Sequence, residues 1–159
     1  EKVLNSENGL YYTGSQNNKN ELINGAMKVI TGLDWLGLPI HYPEKLIDFC
    51  LGTKPNQEGC DIVDIIYVLY KCLEQSNYKR KSIQEYLEDI RPAIEAHYKK
   101  EEGGFSYFIN SSQQYYYGIR FSKIKNQADI HGTTLLVWAL SMVDEITEQH
   151  SNRFNVIKP

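Results

Sequence analysis

The sequence predicts an all-α chain built of stacked helical hairpins, and three observations carry that reading. Apolar residues recur at the three-and-four spacing of a helix face. Segments apolar nearly all round alternate with segments apolar on one side, in the order enclosed, half-exposed, enclosed, half-exposed, enclosed, as expected when one layer of helices covers another. No strand alternation or parallel-sheet rhythm appears.

Residues 1–21 are polar and Gly/Asn-rich, with only Leu10-Tyr11-Tyr12 able to pack, and read as loop. From Leu22 the residues Ile23, Ala26, Met27, Ile30 and Leu33 mark one face of a first helix, with Gly32 and Gly37 near its end. Pro43 suits the first turn of a short second helix carrying Leu46, Ile47, Phe49, Cys50 and Leu51, and Gly52 is expected to supply a left-handed cap. Residues 60–75 are apolar nearly all round and too long for a strand, so a third, enclosed helix is expected there. Ile83, Tyr86, Leu87, Ile90, Ile94 and Tyr98 form one stripe with Glu88, Glu95, Lys99 and Lys100 off it, which gives a helix near 81–99 with a wet face that Pro92 should kink or split. A long tyrosine-rich connection over 101–128 leads to a last helix near 131–148, again apolar all round at Leu135–Leu140.

Composition narrows the function. With 159 residues, 42% apolar and 23% charged, the chain can bury one sizeable core and is read as a single domain over 1–159. Seventeen Lys and Arg against twenty Asp and Glu leave a net charge of −3, so nucleic acid is not an expected partner. No apolar run is long enough to span a bilayer, and Glu1-Lys2-Val3-Leu4 lacks the apolar stretch of a signal peptide, so a soluble, cytoplasmic chain is expected. Cys50, Cys60 and Cys72 sit in apolar surroundings and read as reduced, structural thiols.

The densest polar and aromatic feature runs through Gly103-Gly104-Phe105-Ser106-Tyr107, Gln113-Gln114-Tyr115-Tyr116-Tyr117-Gly118 and Asp129-Ile130-His131-Gly132. Asp129 and His131 stand at the mouth of an enclosed helix, where an imidazole can act as a base and where an acid can equally be a simple N-cap. Asp61 and Asp64, three apart, share a helix face; they read either as a carboxylate pair for proton or cation chemistry or as first-turn acids complementing the helix dipole. Phe105, Tyr107, Tyr115, Tyr116 and Tyr117 are candidates to line a ligand surface or to pack the loop onto helices. Cys60, Asp61 and His131 are zinc ligands by type, but no recognised metal spacing is present and no metal or other cofactor is expected. His41 reads as a loop histidine, His97 and His150 as helix-surface residues, and Trp138 and Met142 as core. An internal echo links Gly9-Leu10-Tyr11-Tyr12 and Asn24-Gly25 with Gly104-Phe105-Ser106-Tyr107 and His131-Gly132.

These residues resemble the repeats of the terpenoid cyclase and protein prenyltransferase superfamily, in which a Gly-Gly-aromatic loop is followed by an acid leading into an inner helix. Gly103-Gly104-Phe105-Ser106 and Asp129-Ile130-His131-Gly132-Thr133 carry the likeness. The resemblance implies an α/α toroid whose inner-helix N-termini face a cavity, with Asp61, Asp64, Asp129 and His131 near its mouth. It departs from the family in lacking the Asp-X-Asp-Asp motif of squalene-type cyclases and a complete Gln-Trp motif. The prenyltransferase zinc set is also altered, with Gly59-Cys60-Asp61 in place of Asp-Gly-Cys. A full ring takes more hairpins than this chain supplies, so the chain is expected to be the closing part of a larger toroid, completed by its remainder or by self-association. The expected function is therefore an aromatic-lined cavity for an apolar or isoprenoid-like small molecule. If the cavity is catalytic, Asp129 and His131 form its acid–base pair and Asp61 and Asp64 give electrostatic support. A carbohydrate-active toroid, lyase or hydrolase, and a non-catalytic interaction scaffold are the competing readings.

Overall fold

The structure, a computed structural model, describes residues 3–15 and 17–148. Within them lie α1 (Lys19–Trp35), α2 (Pro43–Leu51), α3 (Gly59–Leu73), α4 (Arg80–Glu95) and α5 (Ile130–Ile146). There are also four two-residue strands, β1 (Tyr98–Lys99), β2 (Gly104–Phe105), β3 (Tyr115–Tyr116) and β4 (Ile119–Arg120). The fold is therefore helix-rich, but it is not purely all-α. β1 pairs antiparallel with β2, and β3 with β4. The absence of strands expected from the sequence is corrected on this point, because pairs this short leave no periodic signature.

α3 is the central element, packed between α1 and α5. Asn24 and Asp64, each the sixth residue of its helix, are hydrogen-bonded at 2.5 Å, and Lys71 pairs with Asp34 at 3.0 Å near the far ends. α1 and α3 thus run parallel. On the other side Tyr67 packs on Trp138, the ninth residue of each helix, and Tyr70 donates to Glu145, so α5 runs parallel to α3 as well. α2 and α4 touch each other and α3, which places both on the same side of it. Gln84, early in α4, donates to the carbonyl of Ile146 at the end of α5, whereas His97, just past α4, meets Ser106 near the start of α5. α4 is therefore antiparallel to α5. The consequence for function is that the amino ends of α1, α3 and α5 gather at one end of the molecule, with the loops that precede them.

Several local expectations change. α1 starts at Lys19 rather than Leu22, since the Asn18 side chain caps the backbone N–H groups of Asn20 and Glu21. The loop before it is tied by a bridge between Leu4 and Tyr11, with Leu10 and Tyr11 buried. Gly52 closes α2 at φ −86°, not in the left-handed region. α3 is less uniformly apolar than its composition implies: Cys60, Asp64, Tyr67 and Lys71 form a polar-tipped stripe on it. α4 runs through Pro92, which lies on its exposed side. It stops at Glu95, and His97 is fully buried rather than on a helix surface, because the chain turns there and the Nδ1 of His97 meets the Ser106 carbonyl at 2.8 Å. Burial pulls the His97 pKa down, opposed by that carbonyl. Met142 is core, and Trp138 is half-buried at the core's edge. The cysteines are free thiols; Cys50 and Cys72 are buried, and burial pushes Cys72 up to about 12. His150 lies outside the described residues.

Candidate functional site

The site is built around the start of α5. Asp129 adopts extended backbone at the N-cap, and its Oδ1 accepts from the N–H of Gly132 at 2.7 Å, the usual capping bond. Its Oδ2 does something the cap does not need. It accepts from the N–H of Tyr107 at 2.8 Å and of Gln113 at 3.2 Å. One carboxylate thus ties the helix start to two points of the preceding loop. Phe105 is held beside it, its N–H donating to the Thr133 hydroxyl at 2.9 Å and its carbonyl accepting from the Asp129 N–H at 2.9 Å. The loop backbone lies so close over α5 that a Cβ on Gly132 would sit 2.4 Å from the Tyr107 nitrogen.

His131 is the group this scaffold presents. Its Nδ1 is hydrogen-bonded to the side-chain amide of Gln113, which fixes the orientation of the ring and leaves Nε2 as the other ring nitrogen. Its ring stacks on Tyr107 with centroids 5.1 Å apart and meets Tyr116 edge-on at 6.0 Å. Burial lowers the His131 pKa and so favours the neutral ring, partly opposed by the Asp129 charge. Beneath it Tyr107 is buried, packs edge-on against Phe108, and sets its hydroxyl against the Cys60 thiol. Burial raises both the Tyr107 hydroxyl and the Cys60 thiol above their ordinary ranges, so neither is a ready anion.

Beside His131 opens a cleft of about 880 Å³ whose exposed surface is largely carbon, from Phe121, Ala128 and Ile130 and from the stems of polar residues, but whose walls also carry Glu102, Gln113, Gln127 and Thr134. The predicted residues fall into three groups around it. Asp129 and His131 line the cleft together, and Phe105 and Tyr107 form the layer beneath. Tyr115, Tyr116 and Tyr117 ride on the exposed β3–β4 hairpin, and of the three only Tyr116 touches His131. Asp61 and Asp64 belong elsewhere: Asp61 accepts from Asn56 at 2.7 Å, and Asp64 is buried against Asn24 between α3 and α1. Burial raises Asp64 to about 6, with the Asn24 amide and Lys28 opposing and Asp61 adding to the rise.

The zinc that the resemblance raises does not fit these residues. Cys60 faces Tyr107, Asp61 faces Asn56, and among the described residues no group of three His, Cys, Asp or Glu side chains is arranged to hold a metal ion. Gln113, Ile130 and Thr133 lie in segments the sequence singles out, but their places in the site, like that of Phe121, emerge only from the structure. Gln113 sits 18 residues from His131 in a loop with no regular repeat, so spacing carries no hint of the contact. Among the described residues no helix is long and apolar enough to cross a membrane. Compared with known protein families, curated proteins and solved structures, the chain matches none.

Proposed function

We propose that the chain forms part of an α/α toroid of the terpenoid cyclase and prenyltransferase type, and that the cleft at the start of α5 binds an apolar, isoprenoid-like small molecule. The parallel row α1–α3–α5 with α2 and α4 on one side of α3 agrees with inner and outer layers of such a ring. The remaining hairpins, or a second copy, would complete it. The observation that supports the ligand class is the cleft itself: its exposed surface is largely carbon, with Phe121, Ala128 and Ile130 beside an imidazole whose orientation Gln113 fixes, while Glu102, Gln127 and Thr134 leave polar groups for a hydroxyl-bearing end.

The same geometry favours binding over acid–base turnover by an Asp129–His131 pair. Asp129 already accepts three backbone N–H bonds, which makes it a positioning residue, and the Nδ1 of His131 is engaged by the Gln113 amide. In this reading His131 offers Nε2 as an acceptor for a ligand hydroxyl. Asp61 and Asp64 are too occupied by Asn56 and Asn24 to serve the cleft.

Farnesol is a suitable probe. A ligand that binds only the folded chain raises its stability, by about 2.7 kcal/mol at a hundredfold excess over Kd. Saturable thermal stabilisation by farnesol is expected, and Thr134→Trp, at an exposed position lining the cleft, should abolish it while leaving the fold intact. Stabilisation by an oligosaccharide and not by farnesol would overturn the proposal in favour of a sugar site. Farnesol stabilisation unchanged by Thr134→Trp would place the ligand elsewhere.

A further inference from the structure

The ribbon that carries Tyr115–Tyr117 bears a surface the cleft does not use. Residues 112–125 fold back on themselves: the Ser112 N–H donates to the Lys125 carbonyl, the Ser122 hydroxyl to the Gln113 carbonyl, and the Phe121 N–H to the Gln114 carbonyl, before β3 and β4 pair and turn at Tyr117-Gly118. Both turn residues have positive φ, 48° for Tyr117 and 79° for Gly118, the conformation of the tightest hairpin turn. Glycine takes it freely, whereas tyrosine does so at a cost, so the tip holds a tyrosine where a small residue would fit better. Tyr117 is 86% exposed, Ile119 71% and Ile124 67%, and Ile130 beside the cleft reaches 88%.

The charges of this stretch are equally one-sided. From Gly103 to Ala128 there is no Asp or Glu, while Arg120, Lys123 and Lys125 interleave with the exposed apolar residues. The overall balance of −3 hides this, because the acids lie elsewhere.

We propose that this ribbon docks on an anionic phospholipid surface, its lysines and arginine at the headgroups and its tyrosines and isoleucines in the interfacial layer. Three observations select that occupant. Basic residues meeting anionic lipid give charge complementarity. Tyrosines suit the boundary between headgroup and acyl chain. Exposed isoleucines gain from an acyl environment and have nothing to stack on in a nucleic acid, where aromatic rings alone would serve. A second copy offers acids on α4, at Glu85, Glu88 and Asp89, but its exposed apolar residues Trp35, Leu36 and Leu38 lie at and just past the end of α1 rather than among those acids, so no one segment of it supplies the ribbon's mixed basic and apolar face with a matching partner. The inference does not depend on the cleft reading.

The test is co-sedimentation of the full chain with phosphatidylcholine vesicles, with and without phosphatidylserine. Retention is expected only with phosphatidylserine, falling as salt rises. Lys123→Gln and Lys125→Gln should each weaken it about fivefold. Ile119→Ser with Ile124→Ser should abolish it without changing the circular dichroism, since both side chains are exposed. No retention on phosphatidylserine vesicles overturns the proposal. So does retention that the isoleucine changes leave intact while a single-stranded oligonucleotide competes, which would assign the ribbon to nucleic acid. A concentration-dependent dimer lost in the isoleucine variant, with no vesicle binding, would assign it to a second copy.

Discussion

Two helix starts in this molecule share nearly the same sequence idea and end differently. At α1, Gly9-Leu10-Tyr11-Tyr12 precedes a helix containing Gly25; at α5, Gly104-Phe105-Ser106-Tyr107 precedes a helix containing Gly132. In both, the third residue of the aromatic segment lays its backbone over the helix glycine. At α1 the gap is ordinary, 3.4 Å from a Cβ on Gly25 to the Tyr11 carbonyl, whereas at α5 a Cβ on Gly132 would lie 2.5 Å from the Ser106 carbonyl carbon. The caps differ in the same sense. Asn18 caps its own first turn, while Asp129 also reaches out to Tyr107 and Gln113. The first is a capped helix; the second clamps a loop hard enough to hold a histidine against a tyrosine and open a cleft beside it. The site at α5 is thus made by backbone closeness before it is made by side chains.

The widest separation between these helix starts is expected from alanine at the glycines. Gly132→Ala puts a methyl group into backbone that no side-chain rotation can clear, so α5 or the loop must shift, at about 3 kcal/mol or more. Gly25→Ala meets only ordinary contact and gains helix propensity, so its denaturation midpoint should hold or rise, by up to about 1 kcal/mol in stability. Equal effects at the two positions would remove the distinction. Next in size, Asp129→Ala loses a cap and two charge-assisted loop bonds, about 3 kcal/mol, against about 1 kcal/mol for Asn18→Ala. Amide hydrogen exchange sharpens the contrast: the Tyr107 and Gln113 N–H groups should be the ones that lose protection in Asp129→Ala.

Helix positions were largely legible, because each rests on local chemistry. Pro43 and the Leu46, Ile47 and Cys50 face placed α2, and the stripe of Ile83, Leu87, Ile90 and Ile94 placed the buried side of α4. The ribbon was not legible. Its pairing is set by bonds such as Ser112 to Lys125, between residues whose order along the chain has no period, and its turn uses a tyrosine where glycine or asparagine is the usual signal. Asp129 and His131 were readable as candidates, but the choice between cap and acid depends on how many N–H groups reach the carboxylate, which only the folded loop decides. The partner of Asp64 was hidden for a similar reason: its spacing from Asp61 is real, but it is the packing of α1 on α3 that turns it toward Asn24.

That last residue gives the most specific expectation, one that sets the α1–α3 seam against the start of α5. Among the described residues Asp64 has a single amide as its hydrogen-bond donor in a buried seam, where Asp129 has three N–H groups, so the seam carries a carboxylate with little to offset its desolvation. In the folded chain it titrates at about 6, against about 3.9 when unfolded. Between those values the native state binds more protons than the unfolded one, so this group's contribution to stability falls as pH rises from about 4 to about 6 and is level above that. The full swing is on the order of 3 kcal/mol. Asp64→Asn keeps the shape and removes the titration, so the difference in Tm between the two proteins should favour the parent at low pH and shift toward the variant as pH rises through that window. Parallel Tm curves for the two would mean that the seam tolerates the charge, and that the buried acid is compensated by Lys28 and Asn24 more fully than its single hydrogen bond implies.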